Sequence, residues 1–214
     1  MSHSTGRLIT FEGGDGTGKS TQLRLTQAWL KEQGHQVLVT HEPGDTPLGL
    51  EIRRLLLDGR YTPVPECELL MFLADRAQHV REVIRPALKA GTYVLCDRYS
   101  DSTMAYQLAG RRLADLDGLE PMLQFAELGV VPDLTIWLDL PVTKALQRIR
   151  SRSSMGEEST RLDEEKQSFH NAVHAAFAEL HRKHSERIAR IDASDSIEVV
   201  QSNIRALFQE RGVL

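Results

Sequence analysis

Residues 13–20, Gly13-Gly14-Asp15-Gly16-Thr17-Gly18-Lys19-Ser20, match the pattern G-x-x-x-x-G-K-[ST] without a mismatch. That pattern needs a strand before it and a helix after it, and the flanks offer both. Leu8-Ile9-Thr10-Phe11 reads as a short buried strand, and Thr21 to Leu30 as an amphipathic helix. In such a turn the backbone N–H groups from Gly13 to Thr21 point at the oxygens of a polyphosphate, aided by the helix dipole. Lys19 then reaches the β- and γ-phosphates of a nucleotide such as ATP, and the Ser20 hydroxyl ligates Mg2+. A flexible glycine turn, the plainer alternative, leaves both flanks without a reason.

The rest of the chain repeats the alternation of strand and helix. Gln36–Thr40, Thr92–Cys96, Leu134–Leu138 and Arg187–Ile191 read as further strands, the last three running into Asp97, Asp139 and Asp192. Leu48–Leu57 and Glu66–Ala90 carry apolar residues at helical spacing, and Pro86 is expected to kink or restart the longer helix. Strands separated by helical crossovers form a parallel sheet covered on both faces. The expected fold is therefore α/β: a P-loop NTPase three-layer fold with a five-stranded parallel sheet flanked by helices. All 214 residues read as a single domain, with a mobile lid over about 148–163. The aperiodic, polar stretch 151–160 is the core of that lid. Ligands on such sheets sit beyond the C-terminal strand ends, where the glycine loop, Glu42 and Asp97-Arg98 all fall.

Several side chains suit phosphoryl transfer, which depends on positioning and on neutralising charge. Asp97, closing an apolar strand, is a candidate to hold Mg2+ with Ser20, directly or through water, and Arg98 is a candidate to clamp an acceptor phosphate. A carboxylate inside an anion-binding loop opposes the bound phosphate, so Asp15 is expected to face the acceptor and bond a sugar hydroxyl. The loop itself has no arginine. Arg148, Arg150 and Arg152, with Arg161 beyond the flap, are candidates to supply charge from a closing lid. Phe72 and Arg76 lie one helical turn apart, so a base could stack on one while the other bonds its edge, although core packing is the commoner fate of a phenylalanine. His170, His174, His181 and His184 share a helix face and read as a solvated surface.

Composition narrows the partners. With 26 basic and 30 acidic residues, and a formal charge of −4, the chain lacks the basic excess of a general nucleic-acid binder. No apolar run reaches membrane-spanning length, and the short polar N-terminus does not read as a signal peptide. Cys67 and Cys96 form no C-x-x-C pair and read as small packing residues in a reducing compartment, so the expectation is a soluble, cytoplasmic protein.

These motifs together resemble the thymidylate kinases, nucleoside monophosphate kinases of the P-loop superfamily. The likeness runs from about Leu8 to the C-terminal helix. It is carried by FEGGDGTGKSTQ at 11–22, EPGDTPLG at 42–49, FLADRAQ at 72–78, DRYSDSTMAYQ at 97–107 and PDLTIWLDLP at 132–141. The resemblance implies transfer of phosphate from ATP to dTMP with Mg2+, in a homodimer. It implies that Asp15 contacts the deoxyribose hydroxyl, Glu42 lies near sugar and metal, and Arg53 and Arg98 bind the dTMP phosphate. Phe72 would stack on thymine and Arg76 bond its edge. Ser102, Tyr106 and Gln107 would complete the pocket, with Tyr106 crowding a 2′-hydroxyl. The loop at Ala193 and Ser194 would border adenine. Three features depart from many bacterial members: HEPGD at 41–45 in place of REPGG, Leu108-Ala109-Gly110 after Gln107 in place of three glycines, and a longer flap. A kinase for another deoxynucleotide or a deoxynucleoside is the nearest alternative. A nucleotide-dependent switch is a third, disfavoured by the lack of an Asn-Lys-x-Asp guanine motif.

Overall fold

The apolar runs form five parallel strands, β1 (Leu8–Glu12), β2 (Val37–His41), β3 (Tyr93–Asp97), β4 (Leu134–Asp139) and β5 (Ile188–Asp192), in the spatial order β2-β3-β1-β4-β5. The computed structural model describes residues 6–113, 118–154 and 160–214, without the side chains of residues 152 and 153. Register places Phe11 opposite both Asp97 and Ile136, and His41 opposite Asp97, so the strands end together on one side. The glycine loop and Asp97-Arg98, with Ser20 and Asp97 standing 77 positions apart in sequence, leave the adjacent strands β1 and β3.

Parallel neighbours must be joined by crossovers. Here they use α1 (Lys19–Glu32), α2 (Pro47–Leu57), α3 (Pro65–His79), α4 (Arg85–Lys89), α5 (Ser100–Thr103), α6 (Leu119–Glu127), α7 (Val142–Ser154) and α8 (Gln167–Lys183), and α9 (Ile197–Glu210) follows β5. The sheet alternates with period two. Ile9, Phe11, Leu95, Ile136, Leu138 and Ile191 pack with Leu23, Trp29 and Leu30 of α1 and with Ile204 and Phe208 of α9. Leu8, Val94 and Cys96 pack with Val80 and Ile84, while Trp137 and Ile188 pack with Val173 and Phe177 of α8. Both faces of the central strands are thus covered, and strands buried on two sides are largely apolar.

The break expected at Pro86 takes the form of a π-helical turn, Val80–Ile84, between α3 and α4, with Pro86 in the first turn of α4. Proline has no N–H to give, and its ring crowds the carbonyl one turn back; the wider turn relieves both. A second π-helical stretch, Met104–Gly110, follows α5 and carries Tyr106 and Gln107. The structure corrects one boundary: α7 continues to Ser154, so the first residues of the expected aperiodic flap are helical. Residues 155–159 lie outside the described residues.

Candidate active site

Three glycines shape the loop. Gly13, Gly16 and Gly18 have φ of 131°, 77° and 96°, and a Cβ on Gly13 would meet the Leu138 carbonyl oxygen at 2.6 Å. Gly18 caps α1 without a side chain, and the first turn holds no acidic residue, which leaves the positive end of the helix to an anion. Lys19 Nζ folds back to donate to the carbonyl oxygens of Gly14 at 2.9 Å and Gly13 at 3.2 Å. Burial, together with the Arg98 charge, lowers its pKa.

Ser20 Oγ donates to Asp97 Oδ2 at 3.2 Å. The other oxygen of that carboxylate, Oδ1, is buried with no hydrogen-bond partner among the described residues. A hydroxyl beside a carboxylate with an unspent buried oxygen is the hard donor set that suits Mg2+.

Asp15 is turned toward Arg98 and Tyr106. Arg98 Nη2 meets Asp15 Oδ1 at 2.6 Å, and the Tyr106 hydroxyl donates to Oδ2 at 2.9 Å. Burial opposes the charge on Asp15, but Arg98 and Lys19 outweigh it and hold the carboxyl well below the usual carboxylate range. Arg98 also donates to Gly13 O, Ser102 Oγ and Tyr106 Oη, each at 3.0 Å. Four of its five N–H groups are thereby engaged.

Beneath this cluster lies a buried polar floor. Arg76, 1% exposed, donates through Nε to Glu42 Oε2 at 2.9 Å and through Nη1 to Thr103 Oγ1 at 2.9 Å, and its Nη2 lies 2.9 Å from the same Glu42 oxygen as an ion pair. His79 Nδ1 meets Glu42 Oε1 at 2.9 Å. Arg53 Nη1 donates to Pro43 O at 2.8 Å, after the cis Glu42–Pro43 peptide. Glu12, fully buried at the end of β1, accepts from the Tyr99 N–H at 2.8 Å and contacts Ser102 Oγ at 2.5 Å. Burial and the Asp101 charge push its carboxyl up to about 8.

Two voids meet here. A cleft of about 1190 Å³ runs along the glycine loop from Ser20 and Asp97 to Arg148 and Ala193. A smaller cavity of about 100 Å³ is lined by Asp15, Glu42, Arg53, Phe72, Arg76, Arg98, Ser102, Tyr106 and Gln107, every residue expected at an acceptor. Asp15, Glu42, Arg53, Arg98 and Thr160 border both. Phe72 is half-buried: it packs beside Leu162 and Tyr106 while lining the cavity, so it serves core and cavity together.

The arginines around the flap divide. Arg148 bridges the cleft walls, donating to Gly16 O at 3.3 Å and Ala193 O at 3.4 Å. Arg150 is exposed on α7, and the Arg152 side chain lies outside the described residues. Arg161 is not free to reach transferring phosphates: its Nε donates to Leu56 O at 3.2 Å and its Nη2 pairs with Glu68.

Two minor expectations are corrected. The histidine face of α8 is only in part a solvated surface: His184 is exposed, whereas His170 is buried and His174 and His181 lie against the Trp137 ring. Cys67 is exposed, so only Cys96 packs in the interior. Glu12, Glu68, His79 and Arg111 went unread in the sequence. A signal existed for three of them: Glu12 ends an otherwise apolar strand, and Glu68 and His79 continue the Phe72–Arg76 face of α3 at spacings of four and three residues.

Known proteins with the same arrangement agree on one family. A family model described as thymidylate kinase matches residues 11–204. The thymidylate kinase of Gloeobacter violaceus is 46% identical over 199 residues, covering 93% of this chain and 92% of that protein. That of Clavibacter sepedonicus is 46% identical over 202 residues, covering 94% of each. The crystal structure of thymidylate kinase from Ehrlichia chaffeensis superimposes with a TM-score of 0.75 at 28% identity, covering 95% of this chain and 98% of that one. With this sheet, this loop and this extent of identity, the chain belongs to the thymidylate kinase family.

Proposed function

We propose that this chain transfers the γ-phosphoryl group of ATP to dTMP, giving ADP and dTDP, with Mg2+. The observation that carries the reading is the junction of the two voids at Asp15 and Arg98: a glycine-loop cleft for the donor opens into a cavity lined by all nine acceptor candidates. An oxygen of the dTMP phosphate forms the new bond to the γ-phosphorus as the bond to the β,γ-bridging oxygen breaks, and ADP leaves with that electron pair. The attacking oxygen is already anionic, so no general base is required. The work left to the protein is to hold two polyanions end to end. Lys19 and the loop N–H groups hold the donor phosphates. Arg53 and Arg98 face the acceptor phosphate. Asp15 orients the deoxyribose hydroxyl, with Tyr106 beside it, and Phe72, Arg76 and Gln107 take the base. Ser20 and Asp97 would hold Mg2+, which supplies charge neutralisation along the polyphosphate when bound.

The segment 148–163 acts as a lid in this reading, with Arg148 and Arg150 reaching the donor and Thr160 at the acceptor side. The family's dimer is supported here by an uncovered apolar strip, Leu70 on α3 with Met122 and Phe125 on α6; Phe125 is 76% exposed. Among the described residues no helix is long and apolar enough to cross a membrane, and both cysteines are unpaired, which supports a cytoplasmic location. The test is a phosphoryl-transfer assay with ATP and a panel of dTMP, dUMP, dCMP, dGMP and thymidine. The reading requires dTMP among the best acceptors; thymidine as the better acceptor would move the assignment to a nucleoside kinase.

A further inference from the structure

Glu68 lies on the inward face of α3 with its side chain fully buried. Its carboxylate receives four N–H donors. Oε1 accepts from Gln107 Nε2 at 2.9 Å and Arg111 Nε at 3.0 Å. Oε2 accepts from Arg111 Nη2 at 3.1 Å and from Arg161 Nη2. Burial alone would favour the neutral acid, but the bonds from Arg111, Arg161 and Gln107 hold the carboxyl below its usual value. Arg111 is fixed in turn by Glu165 and by the Phe169 ring, 4.8 Å from its guanidinium carbon. The network ties together α3, the second π-helical stretch and the segment after the flap.

An ionised carboxylate only accepts hydrogen bonds, whereas a glutamine amide has a donor end and an acceptor end. Gln107 therefore has a single compatible orientation, with its NH2 group on Glu68 and its carbonyl oxygen turned away. Gln107 borders the cavity that also holds Phe72 and Arg76. We infer that Glu68 is a positioning residue for nucleobase choice: it locks the Gln107 carbonyl as an acceptor beside the Arg76 donors. A base edge that fits must offer an N–H next to a carbonyl oxygen, as N3–H and O4 of thymine do. Cytosine presents the reverse, a bare ring nitrogen beside an amino group, and leaves the Gln107 carbonyl without a donor, which is the costly kind of mismatch. This inference rests on the dTMP reading above.

The decisive variant is Glu68→Gln. A glutamine at 68 keeps its oxygen on Arg111 Nη2 and Arg161 Nη2, because the reverse orientation would set its NH2 against both; the NH2 then replaces Oε1, loses the bond from Arg111 Nε and faces Gln107, whose amide turns to present NH2 to the cavity. The ratio of kcat/KM for dTMP over dCMP is expected to fall at least about tenfold, while Glu68→Asp, still an acceptor only, keeps a ratio close to wild type. An equal loss on both nucleotides, with the ratio unchanged, overturns the inference and leaves the dTMP reading intact. A wild type that does not use dTMP overturns the reading and the inference together. Should Glu68→Gln fold poorly, hydrogen exchange at the Gln107 side-chain amide of the wild type decides instead. Slow exchange, with and without dTMP, is expected; a fast-exchanging NH2 that becomes protected only when dTMP binds overturns the lock.

Discussion

Asp15→Asn separates the two halves of the site. Asp15 bonds Arg98 at 2.6 Å and Tyr106 at 2.9 Å and lies on the acceptor side of the glycine loop. The substitution keeps the shape but removes the charge and turns one accepting oxygen into an NH2 donor. A hydrogen bond to a charged group contributes about 1.5–3 kcal/mol and a neutral one about 0.5–1.5 kcal/mol, so the grip on a sugar hydroxyl weakens by roughly 1–1.5 kcal/mol. At 1.4 kcal/mol per factor of ten, kcat/KM for dTMP should fall about tenfold. Loss of the Arg98 partner adds instability, tempered because the Asp15 side chain is 26% exposed. The donor end is affected less, since Lys19 Nζ is placed by the Gly13 and Gly14 carbonyl oxygens rather than by the Asp15 carboxylate. Steady-state ADP release with each substrate varied in turn is the assay. KM for ATP should stay within about twofold of wild type while KM for dTMP rises. Equal losses for ATP and dTMP would refute the assignment of Asp15 to the acceptor.

Glu12→Gln tests the buried carboxyl. Because its folded pKa is pushed up to about 8 from 4.5, the folded state keeps a proton that the unfolded chain releases. The stability this contributes is complete below pH 4.5 and is lost as pH rises through 8, at up to about 1.4 kcal/mol per pH unit. Urea unfolding from pH 5 to 8 should show wild type losing stability relative to Glu12→Gln; parallel profiles would contradict the shift. Asp97→Asn should raise the Mg2+ concentration for half-maximal activity at least about tenfold, measured by titrating Mg2+ into metal-stripped enzyme, and an unchanged midpoint would remove Asp97 from the metal site. Phe125→Glu should turn a dimer into a monomer at micromolar concentration in sedimentation analysis, and a dimer that persists would place the interface elsewhere.

The glycine loop and the aspartates that close β3, β4 and β5 were legible in the sequence because each rests on local physics. A phosphate nest needs consecutive residues with special backbone angles, and a buried parallel strand needs an unbroken apolar run. The Phe72–Arg76 pair was legible because helical periodicity fixes which residues share a face. Its surroundings were not. Arg161 looked like a mobile cation in a polar stretch, yet it is held by Glu68, 93 residues away. Glu68 and Glu12 passed unnoticed because a charged residue's burial depends on partners brought by other elements, and spacing does not report those.

The sequence by itself determined the fold class, the glycine loop and the identities of the side chains that line the smaller cavity. Only the tertiary structure decided the strand order that sets β3 beside β1, and with it the meeting of Asp15, Arg98 and Tyr106 across 83 and 91 residues. It also decided which arginines are spent on structure and which way the Gln107 amide points. The physical reason is that hydrogen-bond direction and desolvation are pairwise quantities in three dimensions, while a sequence fixes only what each residue is able to offer.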